Sequence, residues 1–309
     1  MIDTVLVVAG LALAAVVLLP FWVEHRRPKM DDQARVEAPG HFAELSQGIT
    51  HYRWYGGETG PVVVCVHGLT TPSFVWDPLA RRLALIGFRV LVYDLFGRGY
   101  SDRPAGEQED AFFVRQLEDL LADQRLTDDI TLFGYSMGGA IAAAFAARHP
   151  ERLRQLVLIA PAGFGGFPTG FVRTIRDHSP VGDWLALTLF PRRHRQAATA
   201  LARTNPLQAE AAHGQAAQLD WKGFIPAVLS SLRHMLRDDL EREHRKLARE
   251  DLHILAIWAT EDDVIPLSGM GRLTQWNRAA VQTQVAGANH WLPLTHPDEI
   301  VDAFKDGME

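Results

Sequence analysis

An α/β fold, in which a mostly parallel sheet carries helices on both faces, is predicted by short β-branched runs alternating with apolar residues at helical spacing. Two interruptions complete the plan. Between Gly163 and about Arg249 there is no strand-like run, only helical periodicity punctuated by Pro168, Pro180, Pro191, Pro206 and Pro226, so a helical cap is inserted in the sheet's loops. Ahead of the first strand, residues 4–23 are almost wholly apolar. Roughly 20 residues at about 1.5 Å rise span a hydrocarbon core of about 30 Å, which predicts an N-terminal transmembrane helix. The expected organisation is an anchor at 1–28, a linker at 29–44, the sheet domain at 45–163, the cap at 164–250 and the rest of the sheet domain at 251–309.

The elements follow in order. Trp22 suits the end of the span, and the charged stretch 24–42 with Pro28 and Pro39 reads as a tether. A cleavable signal peptide is the competing reading of residues 4–23. It is disfavoured by the lack of a basic leader and by Ala12-Leu13-Ala14 lying inside the apolar stretch rather than after it. Arg26, Arg27, Lys29 and Arg35 follow the span, so the positive-inside rule puts a single-pass protein's catalytic body on the cytoplasmic side. Residues 49–55 form a strand, and the run 62–66 forms a second that lacks alternation because both faces are covered. A helix over 73–86, a strand over 88–93, a helix through Phe113, Leu117, Leu120 and Leu121, and a strand over 130–133 come next. Further strands are expected over 155–160, 253–259 and 281–285, and a last helix over 297–304.

Composition removes several function classes. A net charge of -6 leaves no basic footprint for nucleic acid. Cys65, the only cysteine, sits in a buried apolar run, so neither a disulfide nor a cysteine metal site can form within the chain. No metal or cofactor is expected.

The chemistry centres on Gly134-Tyr135-Ser136-Met137-Gly138-Gly139, between the strand 130–133 and the alanine-rich stretch 140–147. A strand that turns into a helix within two residues, with Ser at the apex and Gly on both sides, is the pattern of a nucleophile elbow. Bulk at 134 or 138 would meet the adjoining strand and helix. The Met137 N–H, first in the helix, is an oxyanion donor favoured by the helix dipole. Ser136 needs a base, and His290 follows the last strand in a loop at the sheet's top edge. The base needs an orienting acid, and the loop after strand 253–259 offers Glu261, Asp262 and Asp263.

At this loop the chain resembles the α/β-hydrolase family, whose members carry a Trp-Gly-x-x-Asp-x-x-x-Pro pattern here. Trp258, Asp262 and Pro266 match that spacing, with Ala259 in place of the usual Gly, so the resemblance implies Asp262 as the acid, with Asp263 as the competing register. The order Ser136, Asp262, His290 is the triad order of this fold. His67-Gly68-Leu69 matches the family's His-Gly-x turn, which implies the Leu69 N–H as second oxyanion donor and a structural role for His67. Residues 94–101 match the Asp-x-x-Gly-x-Gly-x-Ser loop, where Phe96 is expected to line the pocket.

The resemblance implies a serine hydrolase acting through an acyl-enzyme on Ser136. Haloalkane dehalogenases and epoxide hydrolases of this fold use Asp as nucleophile, and no Tyr follows Tyr135 to serve an epoxide. The anchor, with Phe164, Phe167, Phe171, Trp184, Leu187, Phe190, Trp221, Phe224 and Leu229 of the cap, favours a hydrophobic acyl ester taken from a bilayer, such as a monoacylglycerol or lysophospholipid. The same residues would equally form the cap's own core. Three alternatives stay open: a cofactor-free perhydrolase or haloperoxidase, a C–C bond hydrolase, and a non-catalytic membrane-tethered binding module. Within the cap, residues 184–190 form a short apolar helix that Asp183 can cap and Pro191 ends. With Arg192, Arg193, His194 and Arg195 following, it is expected either to face anionic lipid or to pack over Ser136.

Overall fold

The computed structural model describes residues 2–166, 168–203 and 206–307, so Phe167 of the expected apolar cap set lies outside the described residues. Eight strands form one sheet: β1 (His41–Leu45), β2 (Gly48–Tyr55), β3 (Val62–Val66), β4 (Arg89–Tyr93), β5 (Ile130–Tyr135), β6 (Leu153–Ile159), β7 (His253–Ala259) and β8 (Val281–Val285). Their order is β1-β2-β4-β3-β5-β6-β7-β8. β1 and β2 enter antiparallel, and every pairing from β4 to β8 is parallel. β3 shows why its sequence does not alternate: Val64 and Val66 enter the core on one face, and Val63 and Cys65 enter the core on the other.

β1 corrects the expected linker at 29–44. His41–Leu45 pairs with β2 through Phe42↔His51 and Ala43↔Thr50, so the sheet begins before residue 45. It carries no β-branched residue and buries only Ala43, which leaves a sequence pattern too weak to register. The stretch ahead of it is docked as well, since the buried Arg35 guanidinium donates to the Tyr100 carbonyl at 3.0 Å and to Asp102 at 2.5 Å. The helix expected over 73–86 is split. A 3₁₀ turn, Ser73–Trp76, leads into Asp77–Leu85, with Pro78 in the first turn where its missing N–H costs nothing.

Among the described residues six α-helices fill the interval between β6 and β7: Gly170–Asp177, Val181–Thr188, Phe190–Leu201, Pro206–Ala217, Phe224–Arg233 and Glu241–Leu247. No strand occurs there among the described residues. Pro191 opens Phe190–Leu201 rather than ending a helix over 184–190, so Arg192 to Arg195 lie in a helical turn. Asp183 is not a cap either. It lies inside Val181–Thr188 and accepts from Ser179 Oγ and from both terminal nitrogens of Arg233.

The N-terminal helix Ile2–Arg26 is, among the described residues, the one helix long and apolar enough to cross a membrane. None of its apolar window is buried in the protein.

Candidate active site

β5 stops at Tyr135 and the helix Met137–Arg148 starts one residue later, with Ser136 between them at φ 54° and ψ −121°. That is a costly region for a residue with a Cβ, by roughly 1–3 kcal/mol, and the surroundings hold it in place. The Ser136 N–H donates to the Ile159 carbonyl at 3.0 Å, and the Ser136 carbonyl accepts from Gly139 at 2.9 Å and Ala162 at 3.0 Å. The flanking glycines are required by space. A Cβ on Gly138 would meet the His67 carbonyl oxygen at 2.5 Å, and one on Gly134 would meet the Gly138 carbonyl oxygen at 2.5 Å and the Ala142 Cβ at 2.7 Å.

Ser136 Oγ lies 3.0 Å from His290 Nε2, and His290 Nδ1 lies 2.8 Å from Asp262 Oδ2. These residues come from three loops at the C-terminal ends of β5, β7 and β8. The other Asp262 oxygen accepts from the backbone N–H groups of Val264 and Ile265, both at 2.8 Å, so the carboxylate cannot rotate away. Asp263 is exposed. The β7 and β8 loops are tied to each other by Thr260 N–H to Val285 O, Glu261 N–H to Ala288 O and Gly287 N–H to Thr260 Oγ. Tyr135 adds a support that sequence reasoning missed. Its hydroxyl donates to the His290 carbonyl at 2.7 Å, and its position beside the elbow serine was the available signal.

Among the described residues, neither the Leu69 nor the Met137 N–H has a protein acceptor. The turn that carries Leu69 is held from both sides. Burial lowers the His67 pKa to about 4, so its ring is neutral, with Nδ1–H donating to the Gly68 carbonyl at 2.8 Å and Nε2 accepting from the Leu95 N–H at 2.9 Å. From the other side Arg98, fully buried, donates Nε–H to the Leu69 carbonyl at 3.0 Å. Its remaining N–H groups reach the Phe96 and Ala227 carbonyls, Gln108 Oε1 and Ser231 Oγ. No carboxylate is among these partners, and burial pulls the guanidinium pKa down to about 9.

Ser136, His290 and Leu69 open onto a cavity of about 370 Å³. Its apolar wall is Val172, Phe190, Val228, Leu232, Leu236, Val264 and Ile265, and its polar atoms come from Thr70, Thr71, Gln215 and His194. Of the apolar cap residues singled out in the sequence, Phe190 is the one on this wall among the described residues. Phe164, Phe224 and Leu229 are buried in the core instead. Phe96, expected to line the pocket, is also fully buried, against Phe112. Val228 and Leu232 stand four residues apart on helix Phe224–Arg233, a pair that phasing that helix toward Ser136 could have found, and Leu236 follows in the turn after it. His194 belongs to the basic run by sequence, yet it stacks on Phe190 and turns into the cavity. Burial lowers its pKa to about 4, so it stands there neutral. Among the described residues no cluster of three or more His, Cys, Asp or Glu is placed to hold a metal ion.

A hydroxyl bonded to an imidazole whose far nitrogen meets a carboxylate can lose its proton as it attacks an acyl carbon. Comparison with known proteins gives the family. The sequence profile of the alpha/beta hydrolase fold matches residues 61–297, and the chain belongs to the α/β-hydrolase family. It is 30% identical over 256 residues to a pimeloyl-[acyl-carrier protein] methyl ester esterase of Nitrosomonas europaea, covering 79% of this chain and 94% of that one. It is 29% identical over 213 residues to a 2-hydroxymuconate semialdehyde hydrolase of Pseudomonas putida, covering 68% and 73%. Other relatives, among them uncharacterized mycobacterial proteins, match over 34% of this chain, which spans about 30% of their length. Among solved structures, a membrane phospholipase A superposes with a TM-score of 0.72 at 20% identity, covering 99% of this chain and 97% of that one.

Proposed function

We propose that the protein is a membrane-anchored serine ester hydrolase that cleaves hydrophobic acyl esters, with monoacylglycerols and lysophospholipids as the substrate class. The observation that carries the reading is the chain of contacts from Ser136 Oγ to His290 Nε2 at 3.0 Å and from His290 Nδ1 to Asp262 at 2.8 Å. In this mechanism Ser136 Oγ attacks the acyl carbon while His290 Nε2 takes its proton, and Asp262 holds the opposite N–H and stabilises the imidazolium. The Leu69 and Met137 N–H groups receive the tetrahedral oxyanion. Collapse of that intermediate breaks the bond to the alcohol oxygen, which leaves with the proton from His290. Water, deprotonated by the same imidazole, then releases the acid and restores Ser136. The esterase relative supports ester cleavage, and the apolar cavity wall supports an acyl chain. The P. putida relative keeps C–C bond hydrolysis as the second reading.

In the same proposal residues 1–28 anchor the enzyme, 164–250 form the cap, and the catalytic body faces the cytoplasm because Arg26, Arg27 and Lys29 follow the span. A fully exposed apolar helix needs lipid or another apolar partner, which supports the anchor. A C-terminal reporter active only in the cytoplasm is expected to give signal, and an export-dependent reporter to stay silent. Activity of the export-dependent fusion would reverse the topology. The function itself is tested by incubating detergent-purified protein with acyl esters, glycerolipids and a vinylogous diketone, with products read by mass spectrometry. Release of fatty acid from glycerolipids is expected, and turnover of the diketone alone would favour the second reading.

A further inference from the structure

The N-terminal helix contains Pro20. A proline inside a helix has no N–H to give to the carbonyl four residues earlier, so the Val16 carbonyl loses its intrahelical donor. Lipid cannot solvate that oxygen, so a membrane helix tolerates such a proline where a neighbouring helix or side chain, an ordered water or a local adjustment of the turn satisfies the freed group. Here the indole N–H of Trp184, in the cap helix Val181–Thr188, donates to the Val16 carbonyl at 3.0 Å. The cap therefore satisfies the one carbonyl that the proline frees.

A second attachment lies at the end of the same helix. Glu24, only 8% exposed, accepts from the Gly223 N–H at 2.7 Å and from Arg27 at 2.7 Å, and the Pro28 carbonyl accepts from the Lys222 N–H at 2.8 Å. With contacts at Val16 and at residues 24–28, the N-terminal helix runs along the cap over its last two to three turns. Val16 stands about 10 Å of helix before Val23, the last apolar residue of the span. Interfacial helices bury their apolar face about 5–10 Å into the boundary between head groups and acyl chains.

The composition of Val181–Thr188 suits that depth. Its one charged residue, Asp183, is paired with Arg233 through two contacts of 2.9 Å, while Val181 is 61% exposed. Arg192 and Arg193 of the next helix are exposed, as cations beside anionic head groups should be. The flanking helices Gly170–Asp177 and Phe190–Leu201 supply Val172, Phe190 and His194 to the cavity over Ser136.

We propose that helix Val181–Thr188 is inserted in the head-group region of a phospholipid leaflet, held at its depth by the Trp184–Val16 bond that Pro20 makes possible, so that the active site is filled from the leaflet. This rests on the reading of residues 1–28 as a membrane anchor.

The test uses the full chain in vesicles of phosphatidylcholine and phosphatidylglycerol. A bimane fluorophore is placed at Val181→Cys and, for reference, at Leu85→Cys, an exposed core position, with Cys65 fully buried and unreactive. Lipids brominated near the carbonyl end of the chain are expected to quench the Val181 label, and iodide to quench the Leu85 label. Iodide quenching of both labels alike, with the brominated lipid silent at Val181, would overturn the insertion. Trp184→Phe is expected to lower hydrolysis of a vesicle-borne ester about tenfold, the worth of one hydrogen bond, and to leave a soluble p-nitrophenyl ester within about twofold. Pro20→Ala restores a donor that reclaims Val16 and should act in the same direction, with the double variant no worse than Trp184→Phe. Equal losses on both substrates, or no loss on vesicles, would overturn the latch. If the unmodified enzyme hydrolyses no ester, the hydrolase reading fails while the quenching comparison still decides the insertion.

Discussion

Ser136→Ala is expected to lower kcat on short p-nitrophenyl esters by about 10⁴- to 10⁶-fold with the fold intact, because removing the nucleophile of a triad disables the other members as well. The backbone makes a second variant informative. Ser136 sits at φ 54°, which Ala must also adopt and Gly accepts freely. Ser136→Gly should therefore be as inactive as the Ala variant but more stable than it, by about 1 kcal/mol, since the strain is held for the sake of the hydroxyl's position. A fluorophosphonate probe should label the unmodified chain on Ser136 and leave both variants unlabelled. Activity within tenfold of the parent, or a label on another serine, would remove Ser136 from the mechanism.

The second large effect separates two adjacent carboxylates. Asp262→Asn should cost about 10⁴-fold in kcat, because an amide in place of the carboxylate can present its NH₂ to Nδ1 and hold the imidazole in the wrong tautomer. The Val264 and Ile265 N–H groups that now grip Asp262 Oδ1 would select that orientation, since the amide oxygen is the only atom that can accept from them. Asp263→Asn, an exposed change that touches neither His290 nor Ser136, should stay within about twofold. A larger loss from Asp263→Asn than from Asp262→Asn would move the acid by one position.

How much of this was legible depended on whether the determining interaction was local. β3 and β7 have the boundaries the sequence predicts because strands buried in a parallel sheet are short apolar runs cut off by turns, and β8, an edge strand that buries only Val285, has them because Val281 to Val285 alternates and is β-branched at three positions. The elbow was equally visible, since both glycines answer to atoms within the same strand, turn and helix or the adjoining strand. β1 was lost because an edge strand needs little of its sequence beyond one buried residue, Ala43. The cavity wall was mostly lost for a different reason. Which apolar cap residue faces Ser136 depends on how each helix is rotated and docked, so Phe164 and Val228 look alike in sequence but differ in place. Pro191 was misplaced because a proline stops one helix and starts another by the same missing N–H. The Trp184–Val16 contact joins residues 168 positions apart, yet half of it could be read in advance: Pro20 in an apolar helix announces an unpartnered carbonyl at Val16.

Arg98 has a bearing on motion. Its guanidinium joins the Leu69 carbonyl to Ala227 and Ser231 of helix Phe224–Arg233. Lifting that helix would strand a buried cation among too few acceptors, at a cost of several kcal/mol. The helix is thus the stator of the cap, and Arg233 at its end ties Gly170–Asp177 to it through the Arg176 and Ile175 carbonyls, both at 3.1 Å. With that helix fixed, the Leu69 peptide keeps its orientation toward Ser136, and the floor of the cavity is braced from the cap above it.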